Sequence, residues 1–243
     1  MVVGPADQYC RAIEAYLCRK NDGHLIRIVG PAFEQVLGWA NQGVPIKIAC
    51  QGIDRYFERY YAKGPRRRPV RIEFCEADVL DAFDEWRRAV GIAREERLGS
   101  ATMTSDSGSS DSHERRHGSL PAHLDRIIAR LTTLRAGADR SLDDALDAAI
   151  RELDGRRSEA RSLRGEGRRE LVDRLRAMDR ELMQAAEHRC DAATRAQLDV
   201  EAAEELAPFK DRLPGTAFEE ARRGAVARLV RERYRLPVIA FED

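Results

Sequence analysis

The sequence predicts a mostly α-helical protein made of two helical domains joined by a flexible linker. Over most of the chain, apolar residues recur every three to four positions, which is the period of an amphipathic helix. Residues 96–118 interrupt this pattern because they are rich in Ser, Gly, Asp and Thr and nearly free of apolar side chains. We therefore expect a compact helical domain over residues 1–95, a flexible linker over residues 96–118 and a second helical domain over residues 119–243.

Four helical patterns account for most of the N-terminal domain. The first covers residues 5–20, a tight turn at Gly43 joins the second to the third, and the fourth runs from about residue 76 to residue 90. Residues 25–29 fit either a strand or a buried extended segment, and residues 70–74 alternate apolar and polar side chains. These two segments leave room for a short two-stranded element beside the helices.

Long amphipathic stripes predict a helical bundle or coiled coil after the linker. One stripe has alternating spacings of four and three residues, which is typical of a coiled-coil seam; its members are Leu171, Leu175, Met178, Leu182 and Ala185. The sequence leaves open whether this seam packs within the chain or against a second copy. The last eight residues, 236–243, form an extended apolar tip that either adds a strand to a partner or folds back onto its own domain.

The composition favours a cytoplasmic protein with no global attraction for polyanions. Lys and Arg together number 42, as do Asp and Glu, so any binding to nucleic acid has to come from a local patch. The five Cys residues are odd in number and none of them forms a C-x-x-C pair, which favours reduced thiols over disulfides or a zinc site. No signal peptide and no apolar run of about 18 residues is found, so we expect no membrane span.

Candidate catalytic and metal-binding residues are few, and we expect no enzymatic activity, no metal and no cofactor. The pair His113 and His117 has helical i, i+4 spacing but lies within the predicted linker, where nothing would hold a metal geometry. The carboxylate runs of the C-terminal domain are typical of solvated helix faces. No Gly-rich phosphate-binding loop and no G-x-S-x-G nucleophile elbow is found.

A basic segment between residues 63 and 71 is the best single candidate site. Five cations fall within these nine residues, and two Pro residues stiffen the backbone between them. The cations are Lys63, Arg66, Arg67, Arg68 and Arg71. Three Tyr residues lie just upstream at Tyr56, Tyr60 and Tyr61, a combination that suits phosphate contact with base stacking. The alternative is a solvated loop whose Arg residues pair with the carboxylates that follow between residues 73 and 81.

The turn at Gly43 also fits a DNA-reading helix-turn-helix. In that arrangement the third helix lies in the major groove and offers Lys47, Gln51 and Arg55 on its exposed face. The alternative is an ordinary αα corner whose second helix belongs to the core. Acidic residues on the same helix, such as Asp54, count against a groove reader because they would face phosphates.

Residues 30–92 resemble the DnaD-like domain of bacterial and phage replication-initiation proteins. The residues that carry the resemblance are Phe33-x-x-Val36-Leu37-x-Trp39, Gly43-Val44-Pro45, the apolar run from Ile48 to Ile53, Phe74-Cys75, Val79-Leu80, Trp86 and Gly91. Phe74-Cys75 stands where the family has Tyr-Ile, the gap from Leu80 to Trp86 is longer than in the family pattern, and the Arg-rich insertion departs from it. The resemblance implies DNA binding and self-association in a primosome-type assembly, without enzymatic activity.

These observations together predict a non-enzymatic DNA-binding protein of replication-accessory or regulatory type. The alternative is an oligomeric scaffold or adaptor that associates with itself or with a protein partner through residues 120–235. The sequence leaves open the partner, the preference for single- or double-stranded DNA and the oligomeric state.

Overall fold

The computed structural model describes residues 5–62, 64, 69–92, 119–137 and 140–241, and this part of the chain is mostly helical. The mostly α fold class is therefore confirmed. The predicted linker, 96–118, lies outside the described residues. The α-helices of the described part are α1 (Pro5–Lys20), α2 (Pro31–Gln42), α3 (Ile46–Tyr61), α4 (Glu76–Ala89), α5 (Leu120–Arg135), α6 (Asp143–Arg157), α7 (Gly165–Arg189), α8 (Ala192–Leu206) and α9 (Gly215–Arg233).

The chain divides into two compact units whose boundaries differ from the expected domains at the C-terminal side. The first unit contains Met1–Met103 together with Ala203–Ala225, and the second contains Thr104–Ala202 together with Val226–Asp243. The segment 203–225, which the sequence analysis places in the C-terminal domain, thus belongs to the first unit.

Aromatic packing explains why segment 203–225 belongs to the first unit. The ring of Phe209 lies 5.6 Å from the ring of Trp86 and 6.4 Å from that of Phe83. The indole Nε1 of Trp86 donates a hydrogen bond of 3.0 Å to the buried carboxylate of Glu205. No local sequence pattern could predict this contact, because the two partners are 119 residues apart.

Helices α3 and α4 pack at very short range in the first unit because a glycine stands at their crossing. A Cβ added to Gly52 would lie 2.7 Å from the backbone nitrogen of Val79 and 2.8 Å from the carbonyl oxygen of Asp78. Only a residue without a side chain permits this approach. Val79 itself is fully buried at this crossing.

The turn between α2 and α3 is built on Gly43, as the sequence predicts. Gly43 has a φ of 86°, a left-handed conformation that ends α2 at low steric cost. Its Cβ position faces Pro208 and Phe209, with distances of 3.0 and 3.1 Å. The guanidinium of Arg212 donates hydrogen bonds to the last carbonyl groups of α2, so segment 203–225 covers this turn.

The expected two-stranded element is not confirmed, since the described residues contain no strand. Residues Ile72–Cys75 form a 3-10 turn, in which Ile72 and Cys75 are buried and Phe74 is 58% exposed. A strand face would have buried Phe74 with Ile72, whereas a 3-10 turn buries residues three apart. Residues 24–29 have no regular secondary structure, and of the predicted alternative, a buried extended segment, only Ile28 is buried.

Ion pairs between Arg and carboxylates link helices of the second unit beside its buried apolar side chains. Arg174 of α7 donates two hydrogen bonds of 2.6 Å to Glu152 of α6, and Arg135 of α5 pairs with Asp143 and Asp147 of α6. Four of the five predicted seam residues are buried within the chain, and Ala185 is half-buried. The buried four are Leu171, Leu175, Met178 and Leu182, each no more than 3% exposed.

The C-terminal tip folds back onto the second unit. Asp179 of α7 accepts a hydrogen bond of 2.8 Å from the backbone nitrogen of Ile239, and Nε2 of His123 lies 3.0 Å from the carbonyl oxygen of the same residue. Arg231 binds Asp179 through two nitrogens and also donates to the carbonyl of Pro237. The apolar side chains of Ile239 and Phe241 are buried as a result.

Candidate nucleic-acid interface

The structure describes four of the eight residues that the sequence predicts to bind DNA. Lys63, Arg66, Arg67 and Arg68 lie outside the described residues. The described ones are Arg71, Lys47, Gln51 and Arg55. Arg71 is the last residue of the basic segment, and the other three belong to α3.

The backbone of Val70, which precedes Arg71, is held in place by a buried side-chain amide. Asn21 is 1% exposed, accepts a hydrogen bond of 2.6 Å from the backbone nitrogen of Val70 and donates one of 3.1 Å to its carbonyl oxygen. A buried amide with both groups satisfied fixes its partner firmly. The adjacent Arg71 side chain is 68% exposed and pairs with Glu73 at 2.6 Å.

The α3 residues of the predicted groove reader are engaged within the first unit. Arg55 pairs with Glu85 of α4 at 2.5 Å, and Lys47 and Gln51 are half-buried. Asp54 accepts hydrogen bonds of 2.7 and 2.8 Å from the hydroxyl of Tyr16, and Lys20 pairs with the same carboxylate. The charge pairs of Arg55 and Asp54 fit the αα corner, and the helix-turn-helix stays a prediction.

An aromatic surface, defined by Tyr56, Tyr60, Tyr61 and Phe74, lies at the C-terminal end of α3. Tyr56 stacks on Tyr60 with ring centres 5.8 Å apart and on Phe74 with ring centres 6.4 Å apart. Tyr60 and Tyr61 meet edge to face at 5.3 Å. Phe74 is 58% exposed and Tyr61 is 39% exposed, so the surface offers ring area to a ligand.

Phe74 is the functional candidate that the sequence analysis missed. The alternation over residues 70–74 placed its side chain on the same face as Val70 and Ile72, hence in the core. The spacing of the apolar residues Ile72 and Cys75 was a usable signal. A 3-10 turn places residues three apart on one face, so burial of both directs Phe74 to the surface.

A buried carboxylate and the arginine that pairs with it lie beside the aromatic surface. Asp78 is 6% exposed and binds Arg59 through two hydrogen bonds of 2.6 and 2.7 Å. The Arg59 guanidinium lies 5.6 Å from the ring centre of Tyr56, within cation–π range. Burial raises the pKa of the nearby Cys75 thiol to about 12, so this cysteine is protonated at neutral pH and is no nucleophile.

The described residues show neither a metal-binding cluster nor a membrane-spanning helix. They contain no group of three or more His, Cys, Asp and Glu able to hold a metal ion. The spacing His113-Glu114-x-x-His117 matches the H-E-x-x-H pattern of zinc peptidases, a match that the sequence analysis missed, and it lies outside the described residues. Within the described part, no helix has both the length and the apolar character to cross a membrane.

Comparison of the chain with protein-family models, with curated proteins and with solved structures found no match.

Proposed function

We propose that the chain is a non-enzymatic DNA-binding protein, of replication-accessory or regulatory type, that holds a single strand. The basic segment, residues 63–71, contacts the phosphates, and the aromatic surface stacks on the bases. The replication-accessory role is taken from the resemblance of residues 30–92 to the DnaD-like domain.

The position of the aromatic surface is the observation that carries this proposal. Tyr60 and Tyr61 lie just before the first cation of the basic segment in the sequence, and Phe74 lies three residues after its last cation. Rings therefore stand at both ends of the cation run, and Tyr56 stacks between the two groups of rings. Stacking of a base on an aromatic ring contributes about 1–3 kcal/mol and needs bases that are not paired in a duplex.

Two of the acidic residues that follow the basic segment are paired, whereas Glu76 and Asp81 are exposed. Asp78 is buried and bound by Arg59, and Glu73 pairs with Arg71. The Arg71 pair is exposed, and an exposed pair is worth at most about 1 kcal/mol, so a phosphate can replace the carboxylate. A phosphate that displaces Glu73 would therefore gain contact with Arg71.

Fluorescence anisotropy with a labelled oligothymidylate and a labelled duplex tests the proposal. Five cations on a single strand predict that the affinity falls about 100-fold between about 50 and about 200 mM salt. The triple substitution Arg66→Ala, Arg67→Ala, Arg68→Ala should reduce that fall to less than about tenfold and weaken binding at low salt. Binding to neither oligonucleotide at low salt would contradict the proposal.

Two matched controls separate local contacts from net charge and from folding. The substitution of Arg130, Arg161 and Arg180, three exposed arginines of the second unit, removes the same charge and should leave binding unchanged. Phe74→Ala should weaken oligothymidylate binding about tenfold through lost stacking, and Phe74→Tyr should retain it. If oligothymidylate and duplex bind equally well and Phe74→Ala changes neither affinity, the protein binds DNA through phosphate contacts without base stacking.

The alternative of an oligomeric scaffold acting through residues 120–235 makes a different prediction. The seam from Leu171 to Leu182 is buried within the chain, so a second copy would have to use another face of these helices. Light scattering across a range of concentrations tests this alternative. A stable oligomer that survives the triple Arg substitution and lacks DNA binding would favour the scaffold.

A further inference from the structure

Residues 24–29 of the first unit run without a turn or bend between two glycines of positive φ, Gly23 and Gly30. The side chains alternate along this segment, as they do along a strand. Ile28 is buried, whereas Leu25 is 80% and Val29 is 67% exposed, the highest values among large apolar side chains in the described residues. Such exposure within one short segment requires an explanation.

Helix α1 supplies a partner to one edge of this segment. The backbone nitrogen of Ile28 donates a hydrogen bond of 2.8 Å to Oε2 of Glu14, and that of Ile26 donates one of 3.3 Å to Sγ of Cys18. The two acceptors are one helical turn apart, about 6 Å along the axis, which nearly matches the advance of about 6.6 Å for two extended residues. The segment therefore runs antiparallel to α1 with alternate backbone groups turned towards it.

The opposite edge is left open by the same geometry. In an extended chain, alternate residues direct their N–H and C=O groups to opposite edges. Since Ile26 and Ile28 face α1, the groups of Leu25, Arg27 and Val29 face away, and within the described residues their N–H groups donate no hydrogen bond to the protein. The open edge thus has the donors and acceptors of an unpaired strand.

We propose that residues 24–29 form a docking edge for an extended peptide in which an acidic residue has an apolar residue two positions away on each side. Main-chain hydrogen bonds to Leu25, Arg27 and Val29 would pair the strands, as in binding by strand addition. Apolar side chains of the peptide would lie opposite Leu25 and Val29, and the acidic side chain would lie opposite the exposed Arg27.

The charge of Arg27 favours a peptide of this kind over a second copy of the chain as the partner of this edge. In the antiparallel register that pairs Leu25 with Val29 of a second copy, Arg27 would lie directly opposite itself. Like charges in that position destabilise a strand pair, whereas opposite charges stabilise it. The edge is therefore matched to a partner with a carboxylate at the central position.

Two synthetic peptides, Thr-Ile-Thr-Glu-Thr-Ile-Thr and its Lys-centred counterpart, test the proposal against the whole chain by amide NMR. At about 1 mM, the Glu peptide should protect the amides of Leu25, Arg27 and Val29 from exchange, while those of Ile26 and Ile28 stay unchanged. It should bind about two- to fivefold more tightly than the Lys peptide. The substitution Arg27→Glu should reverse that preference, and Arg27→Ala should abolish it.

A proline substitution tests the backbone contacts separately from the charge. Arg27→Pro removes an outward N–H, and its φ is compatible with an extended chain, so the fold is retained while peptide binding is lost. The proposal is overturned if neither peptide protects the three amides, or if Arg27→Pro binds as well as wild type. Protection that appears without peptide and rises with protein concentration would overturn it in favour of self-pairing.

Discussion

The helix pair α3–α4 of the first unit and the pair α6–α7 of the second unit both carry Arg–carboxylate pairs, and α3–α4 has a close backbone crossing in addition. At the α3–α4 crossing, Gly52 brings two backbones together with no side chain between them. Between α6 and α7, Glu152 and Arg174 span the gap with two charge-assisted hydrogen bonds. The first contact depends on volume and the second on charge.

This difference indicates what each contact can tolerate. A close backbone crossing responds strongly to any added atom and not to pH, because interiors are packed to the density of organic crystals. A partly solvated ion pair tolerates changes in size and loses its contribution when the carboxylate is protonated. Substitutions at the Gly52 crossing should therefore have larger effects on stability than those at the pair of Glu152 and Arg174.

The largest effect is expected for Gly52→Ala. The new Cβ would meet the backbone of Val79 and Asp78, which cannot move aside as a flexible side chain would. We expect a loss of about 3 kcal/mol or more in the free energy of unfolding, at or above the upper end for overpacking. Gly38→Ala is the matched control, since nothing lies within 4 Å of its Cβ position and the helix should gain stability. Chemical denaturation monitored by circular dichroism measures both, and equal effects would contradict the close crossing.

A smaller loss is expected for Trp86→Phe, which removes the hydrogen bond to the buried carboxylate of Glu205. A bond to a charged group is worth about 1.5–3 kcal/mol. Trp39→Phe is the control, because Trp39 is equally buried and, within the described residues, its Nε1 has no hydrogen-bond partner. The difference between the two variants in the free energy of unfolding, measured with denaturant, gives the contribution of the hydrogen bond from Trp86 to Glu205. Losses of equal size would mean that the carboxylate contributes nothing.

The sequence predicts the helices of the first unit well because their periodicity reports local geometry. The predicted first helix covers the residues of α1, and the turn at Gly43 falls where α2 ends. Glycine spacing alone does not distinguish Gly52 from Gly38, since only the position of the neighbouring helix makes one of them indispensable. Tertiary proximity of this kind is absent from a local pattern.

The candidate site could be predicted only in part for the same reason. The basic segment and its upstream tyrosines follow from composition, whereas the exposure of Phe74 depends on a 3-10 turn that resembles a short strand in sequence. Likewise, the charge of Arg55 is visible in the sequence, but its pairing with Glu85 depends on the packing of α3 on α4. Residue types were therefore predictable, and their availability to a ligand was not.

A modest, pH-dependent effect is expected for Glu152→Gln in the second unit. The hydrogen bond from Arg174 lowers the pKa of Glu152, so the folded state binds this proton less readily than the unfolded state. Its contribution is fully present above the ordinary Glu pKa of about 4.3 and is lost as the pH falls through the lowered value. We expect a loss of at most about 1 kcal/mol at neutral pH, because solvent screens the pair. Urea denaturation at neutral and acidic pH should show the gap between wild type and variant closing, and Glu170→Gln, an exposed site of α7, should show no gap.

The smallest effect is expected at His123, which holds the C-terminal tip through Ile239. Burial lowers the pKa of this imidazole and the charge of Arg126 lowers it further, outweighing the backbone hydrogen bond. The unfolded state therefore takes up its proton first as the pH falls below about 6.5, so stability is lost on acidification and is unaffected well above that pH. His123→Gln should retain a donor to Ile239 and show a weaker dependence of thermal unfolding between about pH 5 and about pH 8. The exposed His188→Gln is the control, and an identical slope for wild type and His123→Gln would show that protonation of His123 does not affect stability.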